Sequence, residues 1–115
     1  MKVSERQHQI CVVDFLRMHP EKPLFYAIPN GGSRNKIEAA NLKKEGVVAG
    51  VSDLFIAEPR HGFHGFYIEM KAKGGRVTEK QRQFLKRASK NGYEIAVCYG
   101  ADDAIDLIKE YLDGR

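Results

Sequence analysis

No stretch of this chain approaches the roughly 20 apolar residues that a membrane-spanning helix requires, which excludes an integral membrane protein of the helical kind. A polar, charged run follows Met1, so no signal peptide is expected. Cysteine is scarce. Cys11 and Cys98 are the only two, and both sit inside apolar runs, where they read as buried thiols. A disulfide framework and a Cys-based metal site are thereby excluded, and the expected setting is a reducing cytoplasm. Repeats, linkers and low-complexity segments are also missing. The glycine-rich stretch Pro29-Asn30-Gly31-Gly32-Ser33-Arg34-Asn35 lacks the spacing and the lysine of a nucleotide-binding loop, so no nucleotide cofactor is expected.

What is present suffices for a core. Of 115 residues, 43% are apolar, with six Phe and five Tyr, and one domain spanning 1–115 is expected. Lys and Arg number 19 against 15 Asp and Glu, giving a net charge of +4 and a pI near 9.1. That balance favours an anionic partner, nucleic acid above all, although a solvated basic surface explains it equally.

Ser4 to Met18 reads as a helix capped by Ser4, with Glu5 in the first turn and a stripe of Ile10, Val13 and Leu16 flanked by Val12 and Phe15. His19-Pro20 ends it. A short strand, Leu24 to Ile28, precedes the glycine-rich loop. A second helix runs from Lys36 to Glu45 and closes at Gly46. Asp53 starts the next strand after Gly50, and Glu58 to Gly65 has the composition of a hairpin connection. In Phe66 to Lys71, apolar Phe66, Ile68 and Met70 alternate with Tyr67, Glu69 and Lys71, the pattern of a strand with one buried face. Thr78 caps a third helix whose buried stripe is Phe84, Leu85 and Ala88, with Gln81 facing inward. Tyr93 to Tyr99 is a strand and Ala101 to Leu112 a closing helix. The order α-β-α-β-β-α-β-α implies an α/β fold, a mixed sheet flanked by helices.

Glu69 and Lys71 share a strand face, since alternate side chains point the same way. If the hairpin centres on His61, Asp53 and Glu69 lie equally far from its tip and become cross-strand neighbours. Two carboxylates and a lysine then converge. Mg²⁺ takes hard oxygen ligands, usually one or two carboxylates, and the Met70 carbonyl lies in reach as a third. Such an ion activates water and offsets charge developing on a phosphate; a neighbouring ammonium adds to that stabilisation. Seen alone, Glu-x-Lys reads as a surface ion pair worth at most about 1 kcal/mol. His61-x-x-His64 finds no further ligands for zinc and reads as a polar hairpin tip.

In this order and spacing, Ser52-Asp53 followed by Glu69-x-Lys71 resembles the PD-(D/E)xK motif of restriction-endonuclease-like nucleases. The closer resemblance is to the VRR-NUC (virus-type replication-repair nuclease) domain. It is carried by Ile28-Pro29-Asn30-Gly31-Gly32, the Lys-Lys-Glu-Gly run ending at Gly46, Gly50-Val51-Ser52-Asp53-Leu54, Ile68-Glu69-Met70-Lys71 and Thr78-Glu79-Lys80-Gln81. The family usually has proline where this chain has Ser52.

That resemblance implies a restriction-endonuclease-like fold and a DNA endonuclease dependent on Mg²⁺ or Mn²⁺. Asp53 and Glu69 would bind the metal with the Met70 carbonyl, and Glu5 directly or through water. Lys71 would be the catalytic lysine and Gln81 the family's helix glutamine, helping to hold the lysine or the water. Small members, found in phages and bacteria, imply a homodimer acting on branched DNA such as four-way (Holliday) junctions in DNA repair, in the host cytoplasm if phage-encoded. With 115 residues leaving no room for a separate DNA-reading domain, phosphate contacts are expected from Asn30, Ser33, Arg34, Lys36, Lys43, Lys44, Lys73, Arg76 and Lys80. Rival readings are a non-catalytic basic DNA-binding module and a hydrolase of small phosphorylated molecules. Nothing in the sequence resembles a base or sugar pocket, which disfavours the last.

Overall fold

A computed structural model describes residues 2–29 and 35–113. Its elements are α1 (Glu5–Met18), β1 (Phe25–Ala27), α2 (Lys36–Lys44), β2 (Leu54–Ile56), β3 (Phe66–Lys71), α3 (Glu79–Lys90), β4 (Glu94–Tyr99) and α4 (Ala101–Asp113). The expected order holds. The four strands lie in the order β1-β2-β3-β4, the first two pairs antiparallel and β3–β4 parallel. Parallel neighbours need a crossover, and α3 supplies it.

Local chemistry accounts for the helix starts. Ser4 caps α1 and Thr78 caps α3, each in a reciprocal capping box with the glutamine three residues on, Gln7 and Gln81. The β2–β3 connection turns at His61 (φ 53) and Gly62 (φ 83), with the Phe63 N–H donating to the Arg60 carbonyl at 2.8 Å. Two left-handed residues in succession give the hairpin turn whose twist matches that of its strands. Leu54 pairs with Ile68 and Ile56 with Phe66, so the ladder is symmetric about His61, as the sequence predicts. His61 Nε2 lies 3.2 Å from the Glu110 carbonyl and His64 packs edge-on to Tyr93, which occupies both histidines of the tip.

One face of the sheet meets α1 and α4, where Val12, Leu16, Leu54, Ile56, Ile68, Met70, Ile108 and Leu112 are fully buried. On the other face α3 lays Phe84 against Tyr67. Three expectations change here, the single buried face of β3, the burial of Cys11 and the place of Ile10 in the buried stripe of α1, whereas the burial of Cys98 holds. Strand β3 has two covered faces, because the α3 crossover closes over the Tyr67–Glu69–Lys71 side; Glu69 is 2% exposed and Lys71 7%. Cys98 is buried, its thiol pushed up to about 12 by loss of water, then by the charge of Asp103. Cys11, in contrast, is exposed, and Ile10 beside it is 52% exposed. Each residue of a helix turns about 100°, so an apolar run on α1 cannot all face the sheet, and Val12 and Leu16 take that side. No residue of α2 is buried. No helix among the described residues is long and apolar enough to cross a membrane.

Candidate active site

Asp53 lies one residue before β2 and is held on three sides. Its N–H donates to the Ile68 carbonyl at 3.1 Å, and its carbonyl accepts the Ile28 N–H at 2.8 Å. Its carboxylate Oδ2 accepts the Met70 N–H at 2.7 Å. Continuing the ladder by one step sets Asp53 opposite Glu69. In extended backbone the N–H and C=O of one residue face the same neighbouring strand. The Met70 carbonyl therefore faces the same side as the Asp53 carboxylate. From α1, the first-turn Glu5 reaches the pair. One oxygen from each of Glu5, Asp53 and Glu69 can be chosen so that all lie within 4.8 Å of one another. The donors are hard carboxylates, the set that suits Mg²⁺ or Mn²⁺ rather than a soft metal.

The cationic side of the site is equally constrained. Lys71 Nζ lies 3.6 Å from Glu69 Oε2 and donates to Gln81 Oε1 at 2.9 Å. Gln81 Nε2 donates to Glu69 Oε2 at 3.3 Å, so its amide bridges the two strand residues. The same Gln81 oxygen accepts the Thr78 N–H at 2.9 Å. One side chain thus caps α3 and orients the lysine. Burial pushes the Glu69 carboxyl up, helped by the charge of Asp53 and a hydrogen bond with it, and then by Glu5. Lys71 opposes the shift only in part, and the group ends at about 8. Crowded carboxylates of this kind call for a cation.

The loop that carries Asp53 is locked to the helix that carries Gln81. Gly50 has φ 89, and a Cβ there would sit 2.6 Å from the Lys80 carbonyl carbon and oxygen. Only glycine allows that approach. Ser52, where the resembled motif has proline, is fully buried, and its Oγ has no hydrogen-bond partner among the described residues.

Comparison with known proteins gives the arrangement a family. The model of the VRR-NUC domain matches residues 4–102, a span that holds Glu5, Asp53, Glu69, Lys71 and Gln81. This chain belongs to the VRR-NUC domain family. A solved structure described as a VRR_NUC domain protein is similar at 28% identity with a TM-score of 0.84, over 98% of this chain and 91% of that one. No curated protein matches. The chain is therefore a domain of the nuclease superfamily, with the restriction-endonuclease-like α/β fold expected from its motifs.

The remaining candidates of this VRR-NUC domain scatter. Asn30, Ser33 and Arg34 lie outside the described residues. Lys36, Lys43 and Lys44 are exposed on α2, Lys73 and Arg76 on the β3–α3 turn, and Lys80 in the first turn of α3 next to Gln81. Two supporting contacts escaped sequence reasoning. His8 Nδ1 accepts the Ala101 N–H at 3.0 Å and so caps α4 from α1. Gly50 showed in the sequence as the approach to Asp53 and as part of a resembled motif, without its contact to Lys80. Neither contact leaves a local signal, because each partner comes from a distant segment.

Proposed function

We propose that this VRR-NUC domain is a metal-dependent endonuclease that hydrolyses phosphodiester bonds of branched DNA, four-way junctions among them. The observation that carries the reading is the joining of three carboxylates, Glu5, Asp53 and Glu69, with a buried lysine whose ammonium is held by Gln81. In this reading Asp53 and Glu69 hold Mg²⁺ or Mn²⁺ with the Met70 carbonyl, and Glu5 joins directly or through water. A cation held there would supply an activated water and stabilise charge on the phosphate. Lys71 places a proton donor and a positive charge beside the scissile phosphate, and Gln81 prevents it from collapsing onto Glu69. Lys36, Lys43, Lys44, Lys73, Arg76 and Lys80, with Asn30, Ser33 and Arg34, contact the backbone of the DNA. Such contacts position a duplex without reading its sequence, so selectivity is for shape. A two-fold homodimer would present two such sites to opposing strands of a junction.

The test is cleavage of labelled four-way junction, flap and linear duplex with Mg²⁺, Mn²⁺ or EDTA, by wild type, Glu69→Gln and Lys71→Ala. Metal-dependent cutting lost in both variants, with DNA binding retained, is the expected result. Binding without cutting in any metal would overturn it in favour of a non-catalytic DNA-binding module. Sedimentation at several concentrations tests the dimer.

A further inference from the structure

The sheet face that carries Glu69 and Lys71 continues into a cleft of about 1580 Å³ between α3 and the chain from α2 to β2. Small-molecule sites run to about 300–1,000 Å³, so this space suits several units of a polymer better than one metabolite. Its floor is aromatic. Tyr67 meets Phe84 and Tyr93 edge-on, with centroids 5.0 and 5.3 Å away. Val47 and Val48 stand on the opposite wall, 49% and 58% exposed. The rim holds Lys43, Lys80 and Arg87, and no carboxylate lines the cleft among the described residues.

Three links tie the cleft to the carboxylates. Tyr67 shares a strand face with Glu69, Lys80 directly precedes Gln81, and Gly50, which also lines the cleft, lies on the loop to Asp53. A paired duplex keeps its base faces stacked inside and offers an aromatic floor nothing to bind. Unpaired nucleotides offer π-faces and phosphates together, and single-strand binding sites combine stacking platforms with a basic groove. A second copy of this chain, net charge +4, complements an acid-free basic rim less well than a polyanion does.

We propose that this cleft takes a short run of unpaired nucleotides from the DNA substrate, with bases against Tyr67, Phe84 and Tyr93 and phosphates toward Lys43, Lys80 and Arg87. The inference rests on the nuclease reading and adds to it the part of the substrate that enters beside the site. A flap supplies such nucleotides, a four-way junction supplies them where pairs at its crossover open, and a continuous duplex does not.

The test measures binding by fluorescence anisotropy, in EDTA so that nothing is cut, using the full chain. The probes are a labelled oligothymidylate, the same strand with abasic residues, and a blunt duplex. Wild type is expected to bind the base-bearing strand at least about tenfold tighter than the abasic one, the scale of one stacked base. Tyr93→Leu, which keeps apolar volume and removes the ring, should shrink that gap to about twofold or less. The double variant Lys43→Ala/Arg87→Ala should weaken both strands alike and leave the gap, and it serves as the check if Tyr93→Leu does not fold. Equal affinity for base-bearing and abasic strands would overturn the proposal. So would strand binding unchanged in a Val48→Lys variant whose only effect is to split a dimer, since the cleft would then hold a second copy. Cleavage by wild type with Mn²⁺ runs in parallel. Cutting without base-dependent binding removes the cleft and spares the nuclease; base-dependent binding without cutting does the reverse.

Discussion

Lys71 Nζ donates to Gln81 Oε1 at 2.9 Å, and that oxygen is already one half of the capping box that begins α3. Both lone pairs of the amide oxygen are committed, one to the lysine and one to the Thr78 N–H, while its NH₂ faces Glu69. The amide can therefore sit only one way round. The start of a helix and the orientation of a buried ammonium depend on the same side chain.

Gln81→Ala should lower kcat by about 10²-fold with KM within about twofold, because a misplaced reacting group costs on that order. Thr78→Ala leaves Gln81 in place but removes its cap, at about 1 kcal/mol, and should give a smaller kcat loss with a lower Tm. Steady-state kinetics beside thermal melts checks the pair. A KM effect alone would make Gln81 a substrate contact instead.

The metal-free protein should lose stability as pH rises. Glu69 has its carboxyl raised from 4.5 to about 8 in the folded chain, by burial first and then by Asp53. The unfolded chain gives up that proton near 4.5, the folded one only near 8. The contribution is present in full below about 4.5 and is lost progressively up to about 8, since the folded state binds more protons across that window. Melts in EDTA should show wild type falling relative to Glu69→Gln between those limits. Divalent metal should reverse the trend, with tighter binding at higher pH as proton competition ends.

Ser52→Ala should stabilise the protein. The Ser52 hydroxyl is fully buried and has no hydrogen-bond partner among the described residues, a state that costs about 1–3 kcal/mol. Removing it should raise Tm by a few degrees while DNA cleavage is retained, as measured by melts and activity on one preparation. A fall in Tm would show that the hydroxyl has a partner in solution.

Gly50→Ala should lower Tm and cleavage together. Its φ of 89 disfavours any L side chain, and the new Cβ would press on the Lys80 backbone at 2.6 Å. The first turn of α3 must then move, carrying Gln81 with it. The exposed neighbour Ala49→Gly adds no atom to press on α3 and should leave both nearly unchanged.

The elements and the register were legible in the chain because their causes are local. Alternation in β3 orients its side chains, and a symmetric connection about His61 brings Asp53 opposite Glu69 before any tertiary contact is considered. Ser4 and Thr78 announce their helices for the same reason. Cys11 and Ile10 misled, since an apolar run on a helix does not say which residues meet a partner.

The sequence by itself determined the order of elements, the hairpin register and the shared face of Glu69 and Lys71. Tertiary structure alone decided that this face is buried, and it set the distances at which Glu5 and Gln81, both expected at the site from the motifs, meet the carboxylates and the lysine. It also decided the aromatic cleft beside them and the contact of Gly50 with α3. The division has a physical cause. Backbone periodicity and turn chemistry act between residues a few places apart, whereas burial, desolvation and close approach depend on which distant segments the crossover lays over the sheet.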